Sequence, residues 1–142
     1  MEGLIESRDI GVDLALEVLA QMRAEAARKR LGLAGCITDR GGHVVASLRM
    51  DDAPLGALPI AADKAYTSAL WGMRTSEASE ASLPGNGDWG FATTLGGRMI
   101  VFAGGVPIFD QGVQVGAFGI SGGTSEEDEQ CALASLAAAG LG

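Results

Sequence analysis

The strongest constraint on this chain is how its glycines are placed. There are 22 in 142 residues, where a chain of average composition would carry about ten. Half of them fall in pairs at Gly41-Gly42, Gly96-Gly97, Gly104-Gly105 and Gly122-Gly123, or as singles at Gly112, Gly116 and Gly119. Between them stand Val, Ile, Leu, Phe and Ala that can be buried, and 47% of the chain is hydrophobic against 20% charged. A flexible linker does not have that content, so the glycines mark turns and close crossings in a packed fold. The length suits one domain over residues 1–142. Such a domain buries roughly two thirds of its unfolded surface and needs no metal or disulfide framework. Cys36 and Cys131 stand in apolar surroundings and read as buried small hydrophobes, although their separation permits a disulfide.

Ten basic residues against eighteen acidic ones give a net charge of −8, the wrong sign for a phosphate-backbone footprint, so nucleic acid is excluded as a partner. The apolar stretches Met99 to Phe109 and Cys131 to Gly142 stop well short of the length that spans a bilayer, and no membrane association is expected. The chain opens without a signal-peptide pattern, which makes the cytoplasm the expected location.

From Ile10 to Leu31, Ala15, Val18, Leu19, Met22 and Ala26 recur at helical spacing, predicting a helix with one buried stripe that stops at Gly32. Arg28, Lys29 and Arg30 then complement the negative end of its dipole. Leu33 to Asp39 and Val44 to Met50 flank Arg40-Gly41-Gly42-His43 and read as a β-hairpin. A second helix opens after Pro54, with Pro59 in its first turn, and runs to about Arg74, followed by a short helix over Ser76 to Leu83. Pro84 to Gly90 is an irregular loop carrying Trp89, with Phe91 just beyond. Strands are expected at Met99 to Phe102, Val106 to Phe109 and Val113 to Ser121, the last apolar on both faces and therefore central. Thr124-Ser125-Glu126-Glu127 matches a capping box ahead of a helix to Ala139. Strands and helices do not alternate, which argues for an antiparallel α+β domain.

Few groups can carry chemistry. Gly119-Ile120-Ser121-Gly122-Gly123 fits G-x-S-x-G, but the only histidine, His43, lies far upstream in a turn, which disfavours a nucleophile elbow. Glu126, Glu127, Asp128 and Glu129 crowd the start of the last helix and would repel a phosphate there. Two cysteines and one histidine cannot build a structural zinc centre, so no metal site is expected. Met50-Asp51-Asp52 offers oxygen ligands or a general base, or is an exposed loop. Lys64 lies in the alanine-rich run Ile60 to Ala65, where an ammonium is costly unless paired. It is a substrate anchor, a proton carrier, or a structural lysine paired with an acid such as Asp63 or Asp39.

The ordered motifs Asp39-x-Gly41-Gly42, Arg49-Met50-Asp51-Asp52-Ala53, Ala61-x-x-Lys64-Ala65-x-Thr67, Thr75-Ser76-Glu77, Gly104-Gly105-Val106-Pro107-Ile108, Val115 to Gly123 and Asp128-Glu129-x-Cys131-Ala132 together resemble the GlcG/HbpS-like family. The likeness runs from about Asp9 to Ala139, and the family includes the C-terminal domain of PduO-type proteins. It implies a profilin-like antiparallel sheet of about five strands flanked by helices, and symmetric homo-oligomers. It also implies haem as a cofactor. Haem-linked relatives can carry Thr between the double glycine and the proline as an iron ligand; here that residue is Val106, which has no ligand atom. His43 is then the candidate axial ligand, with Met50 and Met99 as softer ones.

Two functional classes follow. In the first, the protein is a binding module for a tetrapyrrole or small organic metabolite, held at a subunit interface by Trp71, Trp89 and Phe91. Met50 and the motif residues Thr67, Thr75, Gly104, Gly105, Val106 and Pro107 complete that expected ligand-binding set. In the second, it is a cofactor-independent enzyme acting on a small carboxylate or carbonyl compound. Lys64 would anchor the substrate or exchange a proton, Asp51 or Asp39 would act as base, and the backbone N–H groups near Gly104-Gly105 would polarise an oxygen. Thr67 and Thr75 serve the fold equally well, Thr75 as a cap on the short helix after it.

Overall fold

The computed structural model describes residues 1–142. Helix α1 (Val12–Arg28) leads into strands β1 (Ala34–Thr38) and β2 (Val44–Arg49), then helix α2 (Ala57–Trp71). Short 3₁₀ turns follow at Thr75–Ala78, Phe91–Thr93 and Leu95–Gly97, before β3 (Gly105–Asp110), β4 (Val113–Ser121) and helix α3 (Ser125–Ala138). The strands form one antiparallel sheet in the order β2-β1-β4-β3. This is the expected α+β architecture, with β4 in an inner position and buried from Val115 to Ile120. Four strands form where about five were expected.

The missing strand is Met99 to Phe102. Its backbone docks on α2 instead of joining the sheet, with Ile100 N donating to Thr67 Oγ1 at 3.0 Å. Other boundaries shift for local reasons. Helix α1 ends at Arg28, and the turn is made by Arg30 with φ +57, ahead of Gly32. Gly32 is needed for another purpose, because a Cβ there would lie 2.7 Å from the Asp52 carbonyl oxygen. Helix α2 stops at Trp71, capped by left-handed Gly72, and the helix expected over Ser76 to Leu83 shrinks to one 3₁₀ turn. Met50 lies just outside β2. The capping box of α3 forms as the sequence predicts, with Glu127 N donating to Thr124 Oγ1 and Thr124 N to Glu127 Oε1.

Alternation along the strands sends large and small side chains to opposite faces. Ile37, Phe118 and Ile120 join Val18, Leu19 and Met22 of α1 and Cys131 and Leu136 of α3 in the main core. On the other face Ala34 and Cys36 meet Ala57, Ala61 and Ala65 of α2. That second layer is thin because it is built of alanine and glycine. A Cβ on Gly119 would run into the Ala61 carbonyl, and one on Gly105 would stand 2.5 Å from the Lys64 carbonyl oxygen. Close approach of α2 to the sheet is therefore what these two glycines permit. Both cysteines are buried and free.

Candidate ligand-binding site

Lys64 projects from the sheet-facing side of α2 and is 1% exposed. Its Nζ donates to the Ile120 carbonyl at 2.8 Å and to Asp128 Oδ2 at 3.0 Å, and Asp128 is itself only 2% exposed. Asp128 Oδ1 accepts from Gly123 N at 3.0 Å, so the carboxylate joins the start of α3 to the end of β4 as well as to α2. The Phe102 ring lies over the ammonium, 5.2 Å from Nζ to centroid. Gly104, with φ +130, must lack a Cβ, since one would stand 2.5 Å from Nζ. Burial pulls the Lys64 pKa down and pushes that of Asp128 up, and their mutual attraction opposes both shifts. The acid facing Lys64 is thus neither Asp63 nor Asp39, which the sequence offered. Asp63 instead accepts from Arg98 Nε at 2.9 Å.

Asp39 organises the β1–β2 turn. Its Oδ1 accepts from Gly41 N at 2.9 Å and from His43 N at 3.0 Å, and both oxygens lie 3.1 Å from His43 Nδ1. Burial pushes its pKa up, but the His43 backbone and ring and the Gly41 N–H outweigh that and hold it below the usual carboxylate value. His43 is 82% exposed in its side chain. Asp51, exposed, and Met50, half-buried, line a cleft of about 510 Å³ with Arg23, Leu48, Arg49 and Asp52. The three residues of the expected catalytic set are therefore on different features: Lys64 in the interior, Asp39 in the hairpin turn, Asp51 in that cleft.

The expected ligand-binding residues divide in a similar way. Trp71, 54% exposed at the end of α2, packs edge-on to Phe91 with ring centroids 5.6 Å apart. Its Nε1 donates to Met99 Sδ at 3.2 Å, which ties this aromatic shelf to the segment lying along α2. Trp89 is exposed in the loop just before Phe91. Thr67 is buried beneath; its Oγ1 donates to the Asp63 carbonyl at 2.8 Å and accepts from Ile100 N. Thr75 is not the cap of its short helix, a position Arg74 holds; its Oγ1 accepts from Gly105 N at 3.0 Å. That bond takes up one of the two N–H groups proposed to polarise an oxygen. Val106 and Pro107 line a separate cavity of about 220 Å³ with Arg74, Phe109 and Leu133.

Sequence reasoning missed Arg98 and Tyr66, and offered Asp63 only as a partner for Lys64. The Arg98 guanidinium carbon lies 3.7 Å from the centroid of the Tyr66 ring. Tyr66 in turn fills the space beside Gly42, where a Cβ would stand 2.6 Å from the ring. Contacts thus run from the hairpin carrying His43, through Tyr66 and Arg98, to Met99 and the Trp71–Phe91 shelf. The i, i+3 spacing of Asp63 and Tyr66 was visible, but nothing local marked Arg98 as their partner. No group of three or more His, Cys, Asp or Glu side chains is arranged to hold a metal ion, and no helix is long and apolar enough to cross a membrane.

Fold and site define an α+β domain whose surface aromatics and one stacked arginine adjoin along a single helix. Residues 10–137 match the family described as haem-degrading protein HbpS-like, and the chain belongs to that family. It is 34% identical over 123 residues to an uncharacterised 15.0 kDa protein from the dhaT-dhaS intergenic region of Citrobacter freundii, covering 86% of this chain and 87% of that one. The crystal structure of Klebsiella pneumoniae protein ORFY superposes with a TM-score of 0.95 at 28% identity, covering 99% of this chain and 97% of the other. The crystal structure of a PduOC:haem complex superposes with a TM-score of 0.89, also at 28% identity, covering 94% and 97% respectively.

Proposed function

We propose that the protein binds a flat, largely apolar ligand, haem or another tetrapyrrole or a small organic metabolite, against the Trp71–Phe91 shelf, and that it works in the cytoplasm as a homo-oligomer. The edge-packed pair of exposed Trp71 and half-buried Phe91 carries this reading, since such rings present apolar area at a fixed angle with little conformational freedom left to lose. The PduOC relative, solved with haem, supports the choice of a tetrapyrrole.

The residues present fit an iron porphyrin in one respect and fail it in another. His43 sets Nδ1 against Asp39, the arrangement that orients an imidazole for metal ligation and leaves Nε2 facing solvent. Met99 is buried with its sulfur bonded to Trp71, and Val106 is buried without a ligand atom, so neither reaches iron. Haem bound here would supply its own redox and ligand-exchange chemistry. The chain would hold the ring on Trp71 and Phe91 and offer His43 Nε2. Lys64, with its donors directed to Ile120 and Asp128, holds the fold together in this reading and does not meet the ligand.

The oligomer is supported by unequal sheet edges. On the β3 edge Pro107 removes a donor, and Phe109 exchanges both backbone hydrogen bonds with Gly142. The β2 edge has no such cover, and beside it Leu16, Leu19, Ala20 and Leu48 line an apolar groove of about 470 Å³. A second copy pairing β2 with β2 about a two-fold axis would satisfy that edge.

Haemin titration tests the ligand. The expected result is a Soret shift that saturates at a fixed ratio to protein and weakens in Trp71→Ala; no saturable shift overturns the reading. A monomeric mass in solution overturns the oligomer.

A further inference from the structure

Arg98 is held more firmly than a surface arginine ordinarily is. Its guanidinium carbon lies over the Tyr66 ring, 3.7 Å from the centroid, and its Nε donates to Asp63 Oδ1 at 2.9 Å. The backbone that follows is pinned as well: Thr67 Oγ1 lies 3.3 Å from the Arg98 carbonyl, toward which it donates, and accepts from Ile100 N. Asp63, Tyr66 and Thr67 all belong to α2, so one rigid helix fixes both the main chain and the side chain. The fork has five donors. Only Nε is used within the protein; Nη1 and Nη2 have no protein partner, and the side chain remains 42% exposed.

The segment that carries these free donors also holds the aromatic shelf. Met99, the next residue, holds Trp71 through its sulfur. On α2, Trp71 follows Tyr66 by five residues, about 7.5 Å along the axis and about 140° around it. A preorganised cation and a preorganised apolar ring surface are held by consecutive residues, Arg98 and Met99. The chain's net charge of −8 repels anions in general, so an acidic ligand would need a local cation of this kind.

We infer that Arg98 is the carboxylate anchor of the site: its Nη1 and Nη2 take a carboxylate at the rim of the ligand while the ligand's ring lies on Trp71 and Phe91. The inference rests on the ligand reading above and narrows it to planar acids, such as a porphyrin bearing propionates. A guanidinium suits this role because its planar fork matches both carboxylate oxygens, and stacking on Tyr66 has already removed most of its freedom. Asp63 fixes the fork through Nε alone and leaves the end facing the ligand open.

The test compares haemin with haemin dimethyl ester, which keeps the ring and iron but removes both carboxylates. Wild-type protein is expected to bind haemin about tenfold more tightly than the ester, the lower end for a charge-assisted pair at a partly exposed position. Arg98→Met, which keeps the stem over Tyr66 but not the fork, should lose that preference, and Arg98→Lys should recover only part of it. Equal affinity of wild type for haemin and ester overturns the anchor and leaves the ligand reading standing; this comparison needs no variant to fold. A preference that survives unchanged in Arg98→Met also overturns it. Failure of wild type to bind either compound overturns the ligand reading and the anchor together.

Discussion

Asp128→Asn removes the counter-charge from an ammonium that has no route to water. Lys64 and Asp128 are 1% and 2% exposed and their charged atoms are 3.0 Å apart, a separation at which the attraction is about 5 kcal/mol at an effective dielectric of 20. The desolvation that opposes it persists when one partner is lost, so breaking such a pair costs about 3–5 kcal/mol. For a chain of this size that is a fall in Tm of roughly 6–20 °C. The Asn side chain still offers an oxygen to Gly123 N, so the loss reports on charge more than on the cap. Lys64→Met should cost a comparable amount by stranding the carboxylate. The double variant leaves no buried charge and should fall short of the summed single losses by about 2 kcal/mol or more. Urea unfolding followed by circular dichroism, at one fixed protein concentration and with unchanged m-values, measures the cycle. Additivity to within about 0.5 kcal/mol would refute the argument that the two residues act as one unit. A pH series adds a check of sign. Burial lowers the Lys64 pKa from its ordinary 10.5, so the folded chain releases that proton before the unfolded chain does. Stability of Asp128→Asn should therefore rise with pH in the window just below 10.5.

Gly119→Ala, whose Cβ meets the rigid Ala61 carbonyl, should destabilise by about 2 kcal/mol or more, whereas Gly87→Ala, with open space around it, should stay within about 0.5 kcal/mol in the same urea assay. The depressed Asp39 pKa means that its hold on the hairpin is present above 3.8 and lost as pH falls through its lower folded value. Amide exchange at Gly41 and His43 should speed up in that acid range and should already be fast at neutral pH in Asp39→Ala; equal protection in the variant would contradict this. Burial raises the Cys36 pKa to about 11 and that of Cys131 in the same direction. Neither thiol should react with a maleimide or aromatic disulfide at pH 8 until the protein unfolds, and rapid labelling of the native chain would refute their burial.

Local pattern was enough for the elements with strong periodicity or caps. The buried stripe of α1, the capping box at Thr124 and the inner position of β4 could all be read because each depends on residues within a few positions of one another. Met99 to Phe102 shows the limit. Its composition suits a strand, but the backbone partner that claims it is Thr67, more than thirty residues away. The same limit hid the true partner of Lys64. Asp128 looked like one of four acids complementing a helix dipole, and only the packing of α2 and α3 around the end of β4 singles it out.

The sequence by itself determined the class of fold and the family, because the spacing of glycines, caps and apolar periods restricts which chain segments can turn, cross or pack. It also required that a lysine in an alanine-rich helix find an acid. Which acid, and which of the polar and aromatic groups stand together, was decided by tertiary structure. Ion pairing and stacking depend on separations of a few ångströms between residues far apart in the chain, as in Lys64 with Asp128 and Arg98 with Tyr66. The glycines connect the two levels: visible in sequence as permission for close approach, they acquire a purpose only when the Ala61 and Lys64 carbonyls come to lie against them.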